Sequence, residues 1–121
     1  MKKIKIYREN YQDLPDRFAG KIESDLRYLA EAGIPGLKKV YLFGSCARGE
    51  VRSGSDVDLL VYTEHRLTDR ELAAEIRWTL DEPVRGVRTD VVYKNEDAPS
   101  GYSMFEKVTR RDRKLILEVG E

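Results

Sequence analysis

The residues of this chain that could do chemistry are concentrated in one stretch, residues 44–58. It begins with Gly44-Ser45 and, after ten intervening residues, ends with Asp56-Val57-Asp58. A glycine turn that leads into a short helix exposes backbone N–H groups and lets a phosphate approach closely, and the Ser45 hydroxyl adds a donor. Asp56 and Asp58 are two apart on a predicted strand, so both carboxylates project from one face. Since carboxylate oxygens are ligands that Mg²⁺ prefers, the stretch indicates a site for phosphate and divalent cations.

A third carboxylate, Asp90, begins a later apolar segment and joins this pair if the two strands are neighbours. Two metal ions held by such a cluster could activate an attacking hydroxyl and stabilise a leaving pyrophosphate. Each half of the pattern is weak alone, since Gly-Ser usually marks a turn and Asp-x-Asp a solvated strand end. The apolar run 59–61 places the aspartates at the mouth of a buried strand, where unpaired carboxylates are costly, and this favours a metal role.

Several other kinds of site do not fit the sequence. Glu50 stands where a Walker A loop requires a lysine after Gly49, and no Gly and distal Glu follow Asp58 at the offsets of an EF-hand. The single cysteine, Cys46, excludes an intramolecular disulfide and a Cys-rich zinc site, and the single histidine, His65, excludes a His cluster. We interpret Cys46 as a small packing residue and His65 as the end of a strand.

A long helix is predicted before this stretch. Its apolar stripe, at spacings of four, four, four and three, consists of Leu14, Phe18, Ile22, Leu26 and Leu29. We expect Asp13 or a neighbour to cap the helix, Pro15 to lie in its first turn and Gly33 to end it. The charged residues that we expect largely off the stripe are Arg17, Lys21, Glu23, Asp25 and Arg27.

A second helix is predicted after a capping box at 68–71, with Pro83 at its end and a buried stripe of Leu72, Ile76 and Leu80. Trp78 lies off that stripe and is interpreted as a half-buried edge of the core, with contact to a partner as the alternative. Strands are predicted around Ile4 and Ile6, then at 37–43, 56–62 and 88–94, with an edge strand at 115–119. A loop is expected over 95–101 and a short helix or turn from Tyr102. The basic run 107–114 is a solvated face or a docking patch for an acidic partner or RNA.

Length and composition set the outer limits. With 121 residues the chain has single-domain length, and we assign residues 1–121 to one α/β (α+β) domain. The 22 Lys and Arg balance the 22 Asp and Glu, so electrostatics gives no reason to expect nucleic acid or a membrane as partner. No stretch approaches the roughly 18 apolar residues of a membrane span, so we expect a cytoplasmic protein.

The segments Phe43–Glu50 and Ser55–Val61 together resemble the signature of the DNA polymerase beta-type nucleotidyltransferase superfamily, and the chain's size is similar to that of its minimal nucleotidyltransferases. The resemblance is clearest over residues 37–94. It implies a mixed β-sheet with helices packed on one face, and magnesium-dependent transfer of AMP from ATP.

The resemblance also implies roles for individual residues. Gly44 and Ser45 match the turn that holds phosphate, and the catalytic carboxylates, which would bind two Mg²⁺ ions, match Asp56, Asp58 and Asp90. Arg48 either reaches the triphosphate or pairs with Glu50 or an aspartate to hold the turn, and both interpretations stay open.

A partner is implied as well. Larger members of the superfamily carry extra domains that bind nucleic acid or the acceptor, and 121 residues leave no room for one, so we expect another chain to supply the acceptor. Minimal nucleotidyltransferases often pair as antitoxins with HEPN-domain RNase toxins and transfer AMP to a toxin tyrosine. Two alternatives remain: a small-molecule transferase of the aminoglycoside type, which a homo-oligomer could form, and a catalytically silent module that blocks its partner by contact alone.

Overall fold

The structure is a computed structural model that describes residues 2–96 and 111–120. Its strands are β1 (Lys3–Ile6), β2 (Leu37–Phe43), β3 (Val57–Thr63), β4 (Thr89–Asn95) and β5 (Lys114–Gly120). Its α-helices are α1 (Asp16–Glu31), α2 (Gly44–Arg48) and α3 (Arg70–Asp81), and a 3₁₀ turn covers Arg8–Asn10. The loop expected over 95–101 begins too early, because Asn95 is the last residue of β4. Residues 97–101 of that loop, the helix or turn from Tyr102, and Lys107 and Arg110 of the basic run lie outside the described residues.

The five strands form one mixed sheet in the order β1-β5-β2-β3-β4. Among the strands of the described residues, β3 and β4 pair in parallel and the other neighbours are antiparallel. The prediction of an edge strand at the C-terminal segment is wrong, because β5 lies between β1 and β2. Alternation along one segment shows which face is buried but not how many neighbours the strand has, and here Ile116 and Leu117 are both fully buried.

The helices pack on one face of the sheet, as predicted. Side chains on alternate positions of β3, Val57, Leu59 and Val61, are fully buried in the same core cluster as Phe18 and Ile22 of α1. Because successive side chains of a strand point to opposite faces, the intervening residues of β3 lie on the face away from this core. The predicted fold class is therefore confirmed, and Asp58 lies on the face opposite the helices.

α1 differs from the prediction at its beginning. Pro15 is the N-cap residue and no side chain caps the helix, so the expected cap at Asp13 and the placement of Pro15 in the first turn are wrong. The backbone carbonyl of Pro15 accepts the first N–H bonds, from Phe18 at 2.9 Å and Ala19 at 3.1 Å. The C-terminus agrees with the prediction, since Gly33 follows the C-cap residue with a φ of 69°.

The buried face of α1 contains two charged residues that we expected largely off it. Lys21 is 2% exposed and Asp25 is 3% exposed. They lie one turn apart, and the Lys21 ammonium donates to the Asp25 carboxylate at 2.6 Å. Apolar periodicity treats every charge as solvated, so it misses a pair that satisfies itself inside the core.

α3 begins one residue later than the capping box suggests. Asp69, not Thr68, is the N-cap residue, and its carboxylate accepts from the Leu72 N–H at 3.0 Å. Ile76 and Leu80 are buried as predicted, but Trp78 is 80% exposed, so its interpretation as half-buried is wrong. None of the helices among residues 2–96 and 111–120 has the length and apolar character to cross a membrane.

Candidate active site

The Gly-Ser turn lies where β2 ends and α2 begins. Phe43 is extended, and Gly44 then takes a φ of 73°, a conformation that favours glycine. Phe43 pairs with Asp58 across the antiparallel β2 and β3, so the Asp58 carboxylate lies beside the turn. A Cβ on Gly44 would overlap that carboxylate and lie 3.2 Å from its Cγ. Gly44 was expected to make room for a phosphate; the structure shows that it also makes room for Asp58.

The three aspartates lie at the same end of the two parallel strands. Asp58 is the second residue of β3, Asp90 is the second residue of β4, and the two are direct partners in the register. Paired residues of neighbouring strands lie on the same face, so both carboxylates are on the face of the sheet away from the helices. Asp56 immediately precedes β3. The neighbouring strands on which the role of Asp90 depended are therefore present.

The carboxylates interact electrostatically. The pKa of Asp58 is raised to about 6, first by burial and then by the negative charges of Asp90 and Asp56, while the positive charge of Arg48 opposes the rise. Asp56 and Asp90 are exposed, whereas Asp58 is half-buried. The site therefore holds excess negative charge at neutral pH.

This set of donors fits a hard divalent cation in its chemistry. The oxygens are carboxylate oxygens, and a cation would relieve the repulsion that raises the pKa of Asp58. Within the described part of the chain, no group of three or more His, Cys, Asp or Glu side chains is arranged to hold a metal ion.

Arg48 pairs with two acidic residues. Its Nε lies 3.2 Å from Glu50 Oε2, and its Nη1 lies 3.5 Å from Asp112 Oδ2. Asp112 is the acidic residue that interrupts the basic run, and it lies just before β5. Arg48 thus connects the end of α2 to the segment that leads into β5. Its reach toward a triphosphate stays a prediction.

Cys46 has a contact that no sequence pattern indicates. The residue is buried in α2, as predicted, and its thiol donates to the backbone carbonyl of Asp56 at 3.6 Å. Burial, with the charges of Asp58 and Asp56, raises the pKa of the thiol to about 12. Cys46 therefore stays protonated at neutral pH and links α2 to the residue that precedes β3.

A cavity of about 750 Å³ adjoins Asp58 and Asp90. Phe43 and Val92 contribute to its sheet side, and Arg77 and the exposed Trp78 contribute from α3. Sequence reasoning offered partner contact as an alternative for Trp78 but missed its place in this cavity. The available signal was its position two residues after Ile76, off the buried stripe.

Comparison with known proteins agrees with this geometry. A family model described as "Nucleotidyltransferase domain" matches residues 21–116, which reach from α1 to β5. The chain belongs to the nucleotidyltransferase domain family. The resemblance to the minimal nucleotidyltransferases is thereby confirmed.

Two solved structures are similar to this nucleotidyltransferase domain. One, described as a toxin-antitoxin with AMP-PNP, is 26% identical, with a TM-score of 0.56 over 79% of this chain and 69% of that chain. The other, a proposed nucleotidyltransferase from Sulfolobus solfataricus, is 24% identical, with a TM-score of 0.46 over 78% of this chain and 84% of that chain. No curated protein matches the chain.

The raised pKa of Asp58 predicts that its charge destabilises the ligand-free fold. When folding raises the pKa of a carboxyl group from 3.8 to about 6, the folded protein loses stability as pH rises across that interval. We expect Asp58→Asn to increase the free energy of unfolding by about 1–2 kcal/mol at pH 7.5 and to change it little at pH 4. Urea denaturation of the magnesium-free protein at both pH values measures the difference.

Asp13→Asn is the matched control, because it removes the same charge from an exposed position before α1. We expect less than about 0.5 kcal/mol of change from it at either pH. An equal stability gain from both variants would mean that net charge, not the carboxylate cluster, causes the effect.

The two glycines at either end of α2 provide a second test. Gly44 and Gly49 share a φ of 73°, but a Cβ at Gly49 meets nothing within 4 Å. We expect Gly49→Ala to cost about 1 kcal/mol for the backbone conformation alone, and Gly44→Ala to cost a further 1 kcal/mol or more through overlap with Asp58. Equal losses in urea denaturation would contradict the contact between the turn and the carboxylate.

Proposed function

We propose that this nucleotidyltransferase domain transfers AMP from ATP to a hydroxyl of a partner protein, with a tyrosine of a HEPN-domain toxin as the acceptor. The observation that carries the proposal is the register that places Asp58 beside Asp90 and next to the Gly44 turn. This arrangement brings a candidate phosphate-holding turn and the candidate catalytic carboxylates into one site.

The nucleotide side of the site consists of the Gly44-Ser45 turn, Asp56 and Asp58, and it shares Asp90 with the acceptor side. Gly44 and Ser45 would hold the phosphates, and Asp56, Asp58 and Asp90 would hold Mg²⁺. Bound there, Mg²⁺ would supply positive charge to the triphosphate and the leaving pyrophosphate. The similar toxin-antitoxin structure with AMP-PNP supports an adenine nucleotide as substrate.

The acceptor side begins at Asp90, which is exposed toward the cavity. Its carboxylate would accept the proton of the acceptor hydroxyl as that oxygen attacks the α-phosphorus and the bond to pyrophosphate breaks. A tyrosine hydroxyl suits this step, because its pKa near 10 makes it far easier to deprotonate than an aliphatic hydroxyl.

The cavity that is lined by α3 and by residues of β3 and β4 would receive the acceptor side chain. Trp78 presents an aromatic surface there, 80% exposed, and aromatic rings pack favourably against one another. A partner protein that inserts a tyrosine would cover this surface. The similarity to a toxin-antitoxin structure supports a toxin as that partner.

Co-expression with the protein encoded by the adjacent gene tests the activity. We expect intact-mass spectrometry to show that the partner gains whole AMP units, and Asp56→Ala or Asp90→Asn to abolish the gain. Glu31→Gln, which neutralises an exposed carboxylate in the last turn of α1, should leave it unchanged. A partner that binds but never changes mass would favour the silent module, and ATP consumption only with an added amino sugar would favour the small-molecule transferase.

Trp78 tests the acceptor side separately. We expect Trp78→Ala to raise KM for the partner by about tenfold and to leave KM for ATP within about twofold, because only acceptor contacts are lost. Trp78→Phe should retain most of the affinity. The control is Val84→Ala, since Val84 is also an exposed apolar residue but lies outside the cavity lining. Equal effects of Trp78→Ala on both KM values would contradict this role.

A further inference from the structure

Three polar side chains meet inside the core behind the candidate active site. Lys21 Nζ donates to Asp25 Oδ1 at 2.6 Å and to the backbone carbonyl of Leu80 at 2.9 Å. Thr89 Oγ1 donates to the other carboxylate oxygen, Asp25 Oδ2, at 2.5 Å. Lys21, Asp25 and Thr89 are each at most 3% exposed. The network thereby joins α1, the last turn of α3 and the first residue of β4.

Burial of this ion pair is costly. Desolvation raises the pKa of Asp25 even though Lys21 and Thr89 both donate to its carboxylate. A well-packed apolar set of similar volume often serves stability as well as a buried ion pair does. The network therefore calls for an explanation in terms of what it holds in place.

What it holds is the start of β4. In the described sheet, β4 pairs only with β3, so its free edge has no strand to fix it. Thr89 pairs with Val57, and the next residue along, Asp90, pairs with Asp58. Because neighbouring side chains of a strand point to opposite faces, Thr89 is anchored in the core while Asp90 lies on the face away from the helices.

We infer that Lys21, Asp25 and Thr89 are positioning residues that fix Asp90 relative to Asp58. A shift of Thr89 moves the Asp90 backbone with it, since one peptide unit joins them and that unit is planar. Carboxylates that share a cation must keep their separation within a few tenths of an ångström. Buried hydrogen bonds to the residues that support such carboxylates commonly set that precision. This inference rests on the proposed role of Asp90.

Thr89→Val tests the network, because it keeps the shape of the side chain and removes only the hydroxyl. We expect it to weaken Mn²⁺ binding in the presence of AMP-PNP about tenfold and to lower kcat for AMP transfer by a similar factor. KM for ATP should change by less than about twofold. Thr89→Ser, which retains the hydroxyl, should restore the Mn²⁺ affinity to within about twofold of the original.

Thr63→Val is the matched control. Thr63 is also 2% exposed, and its hydroxyl donates to the backbone carbonyls of His65 at 2.7 Å and Lys94 at 3.5 Å, at the opposite end of β3. We expect it to lose stability comparable to Thr89→Val in urea denaturation without any change in Mn²⁺ affinity. Should Thr89→Val fail to fold, the Mn²⁺ affinities of Thr89→Ala and Thr63→Ala provide the same comparison.

The outcomes separate the inference from the proposed function. Unchanged Mn²⁺ affinity in Thr89→Val, with Asp90→Asn strongly impaired, would overturn the positioning role and leave the function intact. The same affinity loss in Thr63→Val would also overturn it, since general destabilisation would then be the cause. If Asp90→Asn itself retains Mn²⁺ binding and AMP transfer, the assignment of Asp90 fails, and the inference fails with it.

Discussion

The candidate active site holds like charges together at the end of two parallel strands, and the rest of the fold must keep them there. The register of β3 and β4 sets Asp58 against Asp90, and the register of β2 and β3 sets Asp58 against the Gly44 turn. Repulsion and partial burial raise the pKa of Asp58, so the ligand-free arrangement carries an energetic cost. A fold relaxes such strain wherever it can, so the surrounding contacts must resist separation of the strands.

Local sequence patterns predict the elements of this arrangement but not the pairing that produces it. The turn at Gly44, the helix with its Phe18 and Ile22 stripe, and the strand that carries Asp58 follow from short-range periodicity and glycine chemistry. The neighbours of a strand depend on contacts distant in the chain. For this reason the sequence predicts that Asp90 joins the other aspartates only if their strands are neighbours. For the same reason it predicts β5 as an edge strand, although β5 lies between β1 and β2.

The features that differ from the sequence-based expectations share one physical cause. The expectations give a charged group a solvated environment and a large apolar group a buried one, which are only the average environments of these groups. Lys21 and Asp25 are buried because each satisfies the other and because Thr89, 64 residues from Asp25, completes the carboxylate's bonds. Trp78 is exposed on α3 although Ile76 and Leu80 of the same helix are buried. The burial of Lys21 and Asp25 is not encoded in the periodicity of α1, since it depends on the packing of other segments against this helix. The exposure of Trp78 does agree with the periodicity of α3, because Trp78 lies two residues from Ile76, off the buried stripe.

The two halves of the proposed site have different origins in the chain, and this has consequences for specificity. The nucleotide half, from Gly44 to Asp58, is one continuous segment across β2, α2 and β3, so its geometry is set by local turns and one antiparallel pairing. The acceptor half combines Asp90 of β4 with Trp78 of α3, and it meets the first half through the parallel pairing of β3 with β4. In the proposed function, substitutions on the exposed face of α3 would alter what approaches Asp90 without touching the Gly44 turn. In the proposed function, the buried network under β4 allows that freedom, because it fixes Asp90 from the core side and leaves the outer face of α3 free to match a partner.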